Sequence, residues 1–170
     1  MKCGLTGLLA GAVFALLGCG NLSSLNFSEK EMGTIAALNN ERELLLFFDT
    51  NKDEVLDLEF SYEITGTYKD YYFGKLKDIR LDSNKDGKFT LNERIPREKI
   101  KVLIPCSIEE VAAGNNGKKL FLLFDEEKKD SYSAYIYEIM GTQGSYYIGE
   151  LRNIKHDLKK DKISSLDKII

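Results

Sequence analysis

Apolar residues recur at every second position in two separate stretches of the chain. Phe60, Tyr62 and Ile64 form the first set, and Tyr135, Tyr137 and Ile139 form the second. A period of two places these side chains on one face of a β-strand, and aromatic and β-branched residues favour strands. The short apolar run LFLLF at 120–124 precedes the second set and also predicts a strand. The pattern therefore predicts sheet structure in both halves of the chain.

The two halves repeat each other. AALNNERELLLFFD at 36–49 matches AAGNNGKKLFLLFD at 112–125, and YEITGTYKDYYFGKLKDI at 62–79 matches YEIMGTQGSYYIGELRNI at 137–154. Self-similarity at a fixed spacing indicates a duplicated structural unit. We therefore predict two tandem repeats, residues 28–100 and 101–170.

Each repeat opens with a pattern typical of a helix start. Ser28 is followed three residues later by Glu31, and Ser107 by Glu110, which are capping-box spacings. The repeats are thus predicted to be α+β units, each a short helix and a three-stranded antiparallel meander that ends in an acidic loop.

The twelve residues DSNKDGKFTLNE at 82–93 place oxygen-bearing groups at alternate positions. A calcium ion takes six to eight oxygen ligands, and a twelve-residue loop supplies them from positions 1, 3, 5, 7, 9 and 12. Gly87 stands at position 6, where the chain must turn sharply. The predicted Ca²⁺ ligands are Asp82, Asn84, Asp86, the carbonyl of Lys88, Thr90 and Glu93.

This loop resembles the calcium loop of EF-hand proteins at every ligand position. An EF-hand also has a helix on each side, and Pro96 lies only three residues after Glu93, which is early for a long exit helix. We expect the loop on a partly β scaffold with a short exit helix at 91–97. Because LLLFFD at 44–49 could form an entering helix, an EF-hand pair in the first half of the chain is the alternative fold.

Residues 49–60 form a weaker copy of the same loop. Its predicted ligands are Asp49, Asn51, Asp53, Asp57 and Glu59. Glu54 replaces the glycine at position 6, and Phe60 stands at position 12, so Glu59 lies one residue early. In the second repeat, Lys159, Lys162 and Lys168 occupy loop positions, and their charge opposes a bound cation. We predict no calcium there.

The chain has 170 residues, of which 43% are hydrophobic and 30% are charged, so it can form one domain or two small ones. It contains 24 basic and 27 acidic residues, a net charge of −3, which gives no electrostatic footprint for nucleic acid.

The N-terminus predicts export. Lys2 precedes an apolar run from Leu8 to Leu17, which is typical of a signal peptide and short for a membrane span. LLGC at 16–19 resembles the lipobox of bacterial lipoproteins, a family in which the chain is cut before the cysteine and lipid is attached to it. The resemblance implies a signal peptide at 1–18, a lipidated tether at 19–27 that begins with Cys19, and a membrane anchor in the bacterial cell envelope. Gly20, where many proteins retained at the inner membrane have Asp, favours the outer membrane or the cell surface.

No known catalytic motif is present, and we expect that the protein is not an enzyme. Cys106 lies in the apolar stretch VLIPCSI and is predicted to be buried, and His156 lies in a charged stretch and is predicted at the surface. The alternative function is a surface adhesin, a tandem-repeat lipoprotein that binds a host protein through an exposed tyrosine-rich face and uses the acidic loops as plain turns. The sequence does not identify a protein partner.

Overall fold

Strands dominate the part of the chain that the computed structural model describes, residues 25–126 and 130–159. The only helices in this part are two 3-10 helices, Leu91–Glu93 and Arg97–Lys99, and none is long and apolar enough to cross a membrane. The strands are β1 (Leu25–Phe27), β2 (Thr34–Asn39), β3 (Glu43–Phe48), β4 (Leu58–Tyr68), β5 (Tyr71–Leu81), β6 (Ile100–Val102), β7 (Glu110–Asn115), β8 (Lys119–Asp125), β9 (Ser131–Gln143) and β10 (Tyr146–Lys159).

Eight of these strands form a closed barrel in the order β10-β2-β3-β4-β5-β7-β8-β9. Every neighbouring pair in the barrel is antiparallel. The chain therefore runs up and down the barrel, and its connections lie at two ends. The tight connections after β2, β4, β7 and β9 lie at one end, which we call the turn end. The longer connections after β3, β5 and β8 lie at the other, which we call the loop end.

The two repeats contribute four strands each and pair them in the same register. Leu44 lies opposite Tyr62 in the first repeat, and Leu120 lies opposite Tyr137 in the second. The junctions between the repeats are equivalent as well, because β5 pairs with β7 and β10 pairs with β2. The barrel thus has an approximate twofold axis that relates its two halves.

The predicted α+β class is wrong, because the described part of the protein is nearly all β, with 61% of the described residues in strands. The helix expected after Ser28 is a turn in residues 28–33, although the capping-box contact forms: the backbone nitrogen of Ser28 donates to Glu31 Oε2 at 2.8 Å. In the second repeat, Glu110 begins β7. Helix propensity is a weak preference, and pairing within the barrel overrides it in the alanine-containing strands β2 and β7.

The alternative of an EF-hand pair is also wrong. The segment expected as an entering helix is β3, and the segment before residue 82 is β5. The exit helix expected at 91–97 is reduced to the single 3-10 turn Leu91–Glu93. Both acidic loops therefore project from strands at the loop end of the barrel.

A continuous apolar core fills the barrel. The aromatic rings of Phe48, Phe60, Tyr62 and Tyr137 are fully buried in it. Outside the barrel sheet, β1 and β6 form a parallel pair, and the Phe27 ring of β1 packs against Phe48 at 5.2 Å and Phe60 at 5.0 Å. Cys106 belongs to the same core and is 1% exposed, so its predicted burial is confirmed.

Candidate functional site

The loop that begins at Asp82 leaves β5 at the loop end, and its first carboxylate is nearly buried. Asp82 is 3% exposed and accepts hydrogen bonds from the backbone nitrogens of Asp86 at 3.1 Å and Gly87 at 2.8 Å. Asn84 Oδ1 accepts from Asp86 N at 2.9 Å, and Asp86 Oδ1 accepts from Lys88 N at 2.9 Å. These bonds wrap the backbone around the side chains at positions 1, 3 and 5.

Two residues of this loop have a left-handed backbone conformation. Lys85 at position 4 has φ 58°, and Gly87 at position 6 has φ 73°. Glycine adopts a positive φ at no steric cost, which explains its place at position 6.

The weaker loop adopts the same conformation over positions 1 to 7. Lys52 and Glu54, at positions 4 and 6, have φ 62° and 68°. Asp49 Oδ2 accepts from Glu54 N at 2.9 Å, as Asp82 Oδ2 does from Gly87 N. Asn51 Oδ1 accepts from Asp53 N at 2.9 Å. The two loops therefore have the same backbone conformation over these positions, although the weaker loop has Glu54 where loop 82–93 has Gly87.

Asp57 closes the weaker loop from its far side. Its carboxylate accepts hydrogen bonds from Thr50 N at 2.9 Å, from Thr50 Oγ1 at 2.8 Å and from Asn51 Nδ2 at 3.2 Å. No sequence pattern indicated that Thr50 donates to Asp57. With three donors already in place, Asp57 stabilises this loop without an ion.

Glu59 lies beyond the weaker loop, on β4. It is 4% exposed, and its Oε1 accepts from Arg80 Nη1 at 2.9 Å. Burial raises the pKa of the Glu59 carboxyl above its ordinary value, and the Arg80 guanidinium offsets this only in part. The structure therefore does not bring Glu59 together with the other four predicted ligands of the weaker loop. Those four lie within residues 49–57, which we call loop 49–57.

Glu93 closes the loop that begins at Asp82. Its Oε2 accepts from Thr90 N and Thr90 Oγ1, both at 2.9 Å, while its Oε1 is buried and has no hydrogen-bond partner. Within residues 25–126 and 130–159, no three His, Cys, Asp or Glu side chains are grouped closely enough to hold a metal ion. The loop is thus shaped around Asp82, and its last carboxylate has one oxygen to which no protein group donates.

The residues of loop 82–93 fit calcium by their donor type. Its side chains offer carboxylate, amide and hydroxyl oxygens, and calcium prefers oxygen ligands. The buried Oε1 of Glu93 is the structural observation that supports this fit, because a buried acceptor without a partner is costly unless a cation or donor reaches it.

The two loops contact each other and the barrel. The backbone nitrogen of Asp82 donates to the carbonyl of Asp57 at 2.9 Å, and Lys85 Nζ lies 3.6 Å from Asp53 Oδ2. Phe89, at position 8, packs against Phe47 of β3 with ring centroids 5.2 Å apart. Loop 82–93 therefore contacts both loop 49–57 and the outer face of β3.

The corresponding region of the second repeat contains a different network. Glu126 is 4% exposed and accepts from Ser131 Oγ, Ser133 Oγ and Asp157 N. His156, which was predicted at the surface, is exposed, and its Nδ1 lies 2.9 Å from Ser133 Oγ. Lys159 ends β10, while Lys162, Lys168 and the lipidation residue Cys19 lie outside the described residues. The absence of calcium from this repeat stays a prediction.

Of the nine tyrosines that suggested an exposed aromatic face, four are buried and three are partly buried. Tyr62, Tyr135 and Tyr137 are fully buried. Tyr68 and Tyr147 are the tyrosines most exposed, at 44% and 36%, and they belong to the hairpins at the turn end.

Comparison with protein-family models, with curated proteins and with solved structures finds no match to this chain.

Proposed function

We propose that this protein is a bacterial lipoprotein, anchored to a membrane of the cell envelope through Cys19, whose loop 82–93 binds Ca²⁺ in a mainly structural role. The observation that supports calcium binding best is the agreement between the ligand spacing of this loop and its conformation, which wraps backbone nitrogens around Asp82. The anchor rests on the LLGC sequence at 16–19.

Electrostatics favours a cation in this loop. Asp82, Asp86 and Glu93 place three carboxylates in twelve residues, and Oε1 of Glu93 has no protein donor. Outside the cytoplasm, extracellular modules bind calcium with dissociation constants of about 10⁻⁴–10⁻³ M, so a site of moderate affinity suffices. Loop 49–57 is the weaker candidate, because Asp57 already accepts three protein donors and Glu59 is paired with Arg80.

A structural role follows from the contacts of the loop. Phe89 and the bond from Asp82 N to the Asp57 carbonyl attach it to the barrel and to loop 49–57, so an ion that orders the loop also stabilises the fold. An ion that binds only the folded state, at ten times its dissociation constant, adds about 1.4 kcal/mol to the free energy of unfolding.

The test of calcium binding is a thermal melt of the protein with and without about 10 mM CaCl₂, with MgCl₂ at equal concentration as the salt control. We expect calcium to raise the melting temperature by about 3–6 °C. Glu93→Gln removes a predicted ligand charge, and Glu98→Gln is its matched control, since Glu98 lies five residues away on the exposed second 3-10 helix. No shift in the unsubstituted protein, or an equal shift in Glu93→Gln, would refute the metal site.

The anchor has a separate test. In bacteria grown with an alkyne analogue of palmitate, we expect the protein to be labelled and to sediment with membranes. Cys19→Ala should abolish both, and Cys3→Ala, which changes a cysteine inside the predicted signal peptide, should abolish neither. Labelling that persists in Cys19→Ala would contradict the proposed anchor.

A further inference from the structure

The turn end of the barrel contains a cavity of about 80 Å³ that both repeats line with equivalent residues. The lining residues that matter here are the pairs Ala37 and Ala113, Asn39 and Asn115, and Tyr72 and Tyr147. Each pair is identical across the duplication. The cavity therefore lies on the approximate twofold axis.

Strand register explains why there is space at this end. Tyr72 of β5 lies opposite Ala113 of β7, and Tyr147 of β10 lies opposite Ala37 of β2. Opposite residues of an antiparallel pair lie on the same face of the sheet. Each tyrosine thus lies on the inner face of the barrel beside an alanine, and the small alanine side chains leave space at the turn end. Nearer the loop end, the side chains of Phe48 and Phe60 fill the barrel.

The cavity is lined by polar groups that can still donate a hydrogen bond to a ligand. Asn39 Oδ1 accepts from Glu41 N at 2.8 Å and Asn115 Oδ1 accepts from Gly117 N at 3.2 Å, so the oxygens of both amides are held by the turns. Within the described residues, neither amide NH₂ group donates to another residue, and neither Tyr72 nor Tyr147 makes a hydrogen bond through its hydroxyl. The cavity can therefore offer two amide donors and two phenol groups to a ligand.

The described residues that line the cavity include no charged side chain, although Asp, Glu, Lys and Arg make up 30% of the residues in the chain. None of these described residues is His either. An ionised ligand would lose hydration there without meeting a counter-charge, which disfavours it. A purely apolar ligand would make no hydrogen bond with the amide donors of Asn39 and Asn115, which are exposed at the mouth of the cavity.

We propose that the turn-end cavity binds a neutral sugar ring. Such a ring has one apolar face that can lie against Tyr72 or Tyr147, and it has hydroxyl oxygens that accept from Asn39 and Asn115. Because ligand pockets usually exceed about 300 Å³, this smaller cavity accommodates only the edge of one ring, and we expect weak binding. The site is separate from the acidic loops and does not depend on calcium.

The test is a titration of the full chain, ¹⁵N-labelled in a polyoxyethylene detergent without sugar groups, with N-acetylglucosamine followed by NMR. Glucuronate serves as the anionic probe and cyclohexanol as the apolar one. We expect saturable shifts of the amides around Asn39 and Asn115 with N-acetylglucosamine, and weaker binding of both comparison probes.

Asn→Asp is the informative substitution, because it keeps the Oδ1 acceptor that each turn requires and replaces the NH₂ donor by a carboxylate oxygen. It also adds one negative charge, for which a control is needed. Asn39→Asp with Asn115→Asp should weaken N-acetylglucosamine binding by about tenfold or more. The matched control, Asn40→Asp with Asn116→Asp, adds the same charge to the same turns at residues that cap them through Oδ1 and do not line the cavity, and it should retain affinity. The inference is overturned by no saturable shift up to about 100 mM sugar, by unchanged affinity in Asn39→Asp with Asn115→Asp, or by cyclohexanol binding as tightly as the sugar.

Discussion

Replacement of Gly74 by alanine tests how closely β5 packs against β4. A Cβ at this position would lie 2.8 Å from Tyr62 Cβ and 3.6 Å from Val111 Cγ1. Tyr62 is fully buried, and a contact at its Cβ cannot be relieved by rotation of the ring, so the strands themselves must move apart. Overpacking of a close-packed core costs about 1–3 kcal/mol, and we expect about 2 kcal/mol for Gly74→Ala.

The duplication supplies graded comparisons for this substitution. Gly149 is the equivalent residue of the second repeat, where a Cβ would lie 3.0 Å from Tyr137 Cβ, so Gly149→Ala should cost less, about 1 kcal/mol. Gly66 and Gly141 are equivalent to each other and have nothing within 4 Å of an added Cβ. Alanine there should change the free energy of unfolding by less than about 0.5 kcal/mol.

Urea denaturation followed by circular dichroism measures all four variants on one scale. We expect equal m-values. The urea midpoints should be highest and similar for Gly66→Ala and Gly141→Ala, lower for Gly149→Ala and lowest for Gly74→Ala. In a thermal melt, a loss of 2 kcal/mol corresponds to about 6 °C. If Gly74→Ala has the same melting temperature as Gly66→Ala, then Tyr62 does not pack over Gly74, and the β4–β5 register that places Ile64 opposite Gly74 is incorrect.

The remaining predictions concern loop backbone and acid stability. Gly87→Ala should lower the free energy of unfolding by about 1 kcal/mol, because φ 73° is strained for alanine, whereas Glu54→Gly at φ 68° should raise it by about 0.5 kcal/mol; urea midpoints that move the other way would contradict the equivalence of the loops. Burial alone would raise the pKa of the Asp78 carboxyl, but hydrogen bonds and charge from Arg94 and Arg80 outweigh it and hold the pKa below its ordinary value. Asp78 therefore stabilises the fold above about pH 4, and this contribution is lost as the pH falls through the lowered pKa. Asp78→Asn should be less stable by about 1–2 kcal/mol at pH 7, and the difference should shrink below pH 4; a constant difference across a pH series of urea melts would refute it.

Local sequence pattern was sufficient for several strands but not for the barrel. The period-two stretches around Tyr62 and Tyr137 lie in β4 and β9, and LFLLF at 120–124 lies in β8. Closure depends on β10 pairing with β2, between residues more than a hundred positions apart, and no local pattern reports such a pairing. The strands β2 and β7 were missed because TIAALN and EVAAGN carry little alternation and contain alanine, which favours helices in isolation.

The residue spacing of the acidic loops predicted their backbone turn, but it did not predict all of their side-chain contacts. Alternate Asp and Asn side chains with Gly87 predicted a turn that wraps backbone nitrogens, and the structure has this turn. The position of Glu59 was not predictable, because it depends on where β4 begins and on Arg80 of the neighbouring strand. Side-chain partners supplied by other strands are fixed by the tertiary fold alone.

The two ends of the barrel differ in how far the repeats have diverged, and this bears on what each end does. At the turn end, the cavity-lining residues Asn39, Leu44 and Tyr72 have identical equivalents in the second repeat, whereas Leu38 is replaced by Gly114. At the loop end, each acidic loop belongs to a single repeat, so one copy can lose its ligands without affecting the other. Lysine replaces both Asn84 and Gly87 in the second repeat. A site shared by two repeats constrains both sequences, whereas a site contained within one repeat leaves its duplicate free to change.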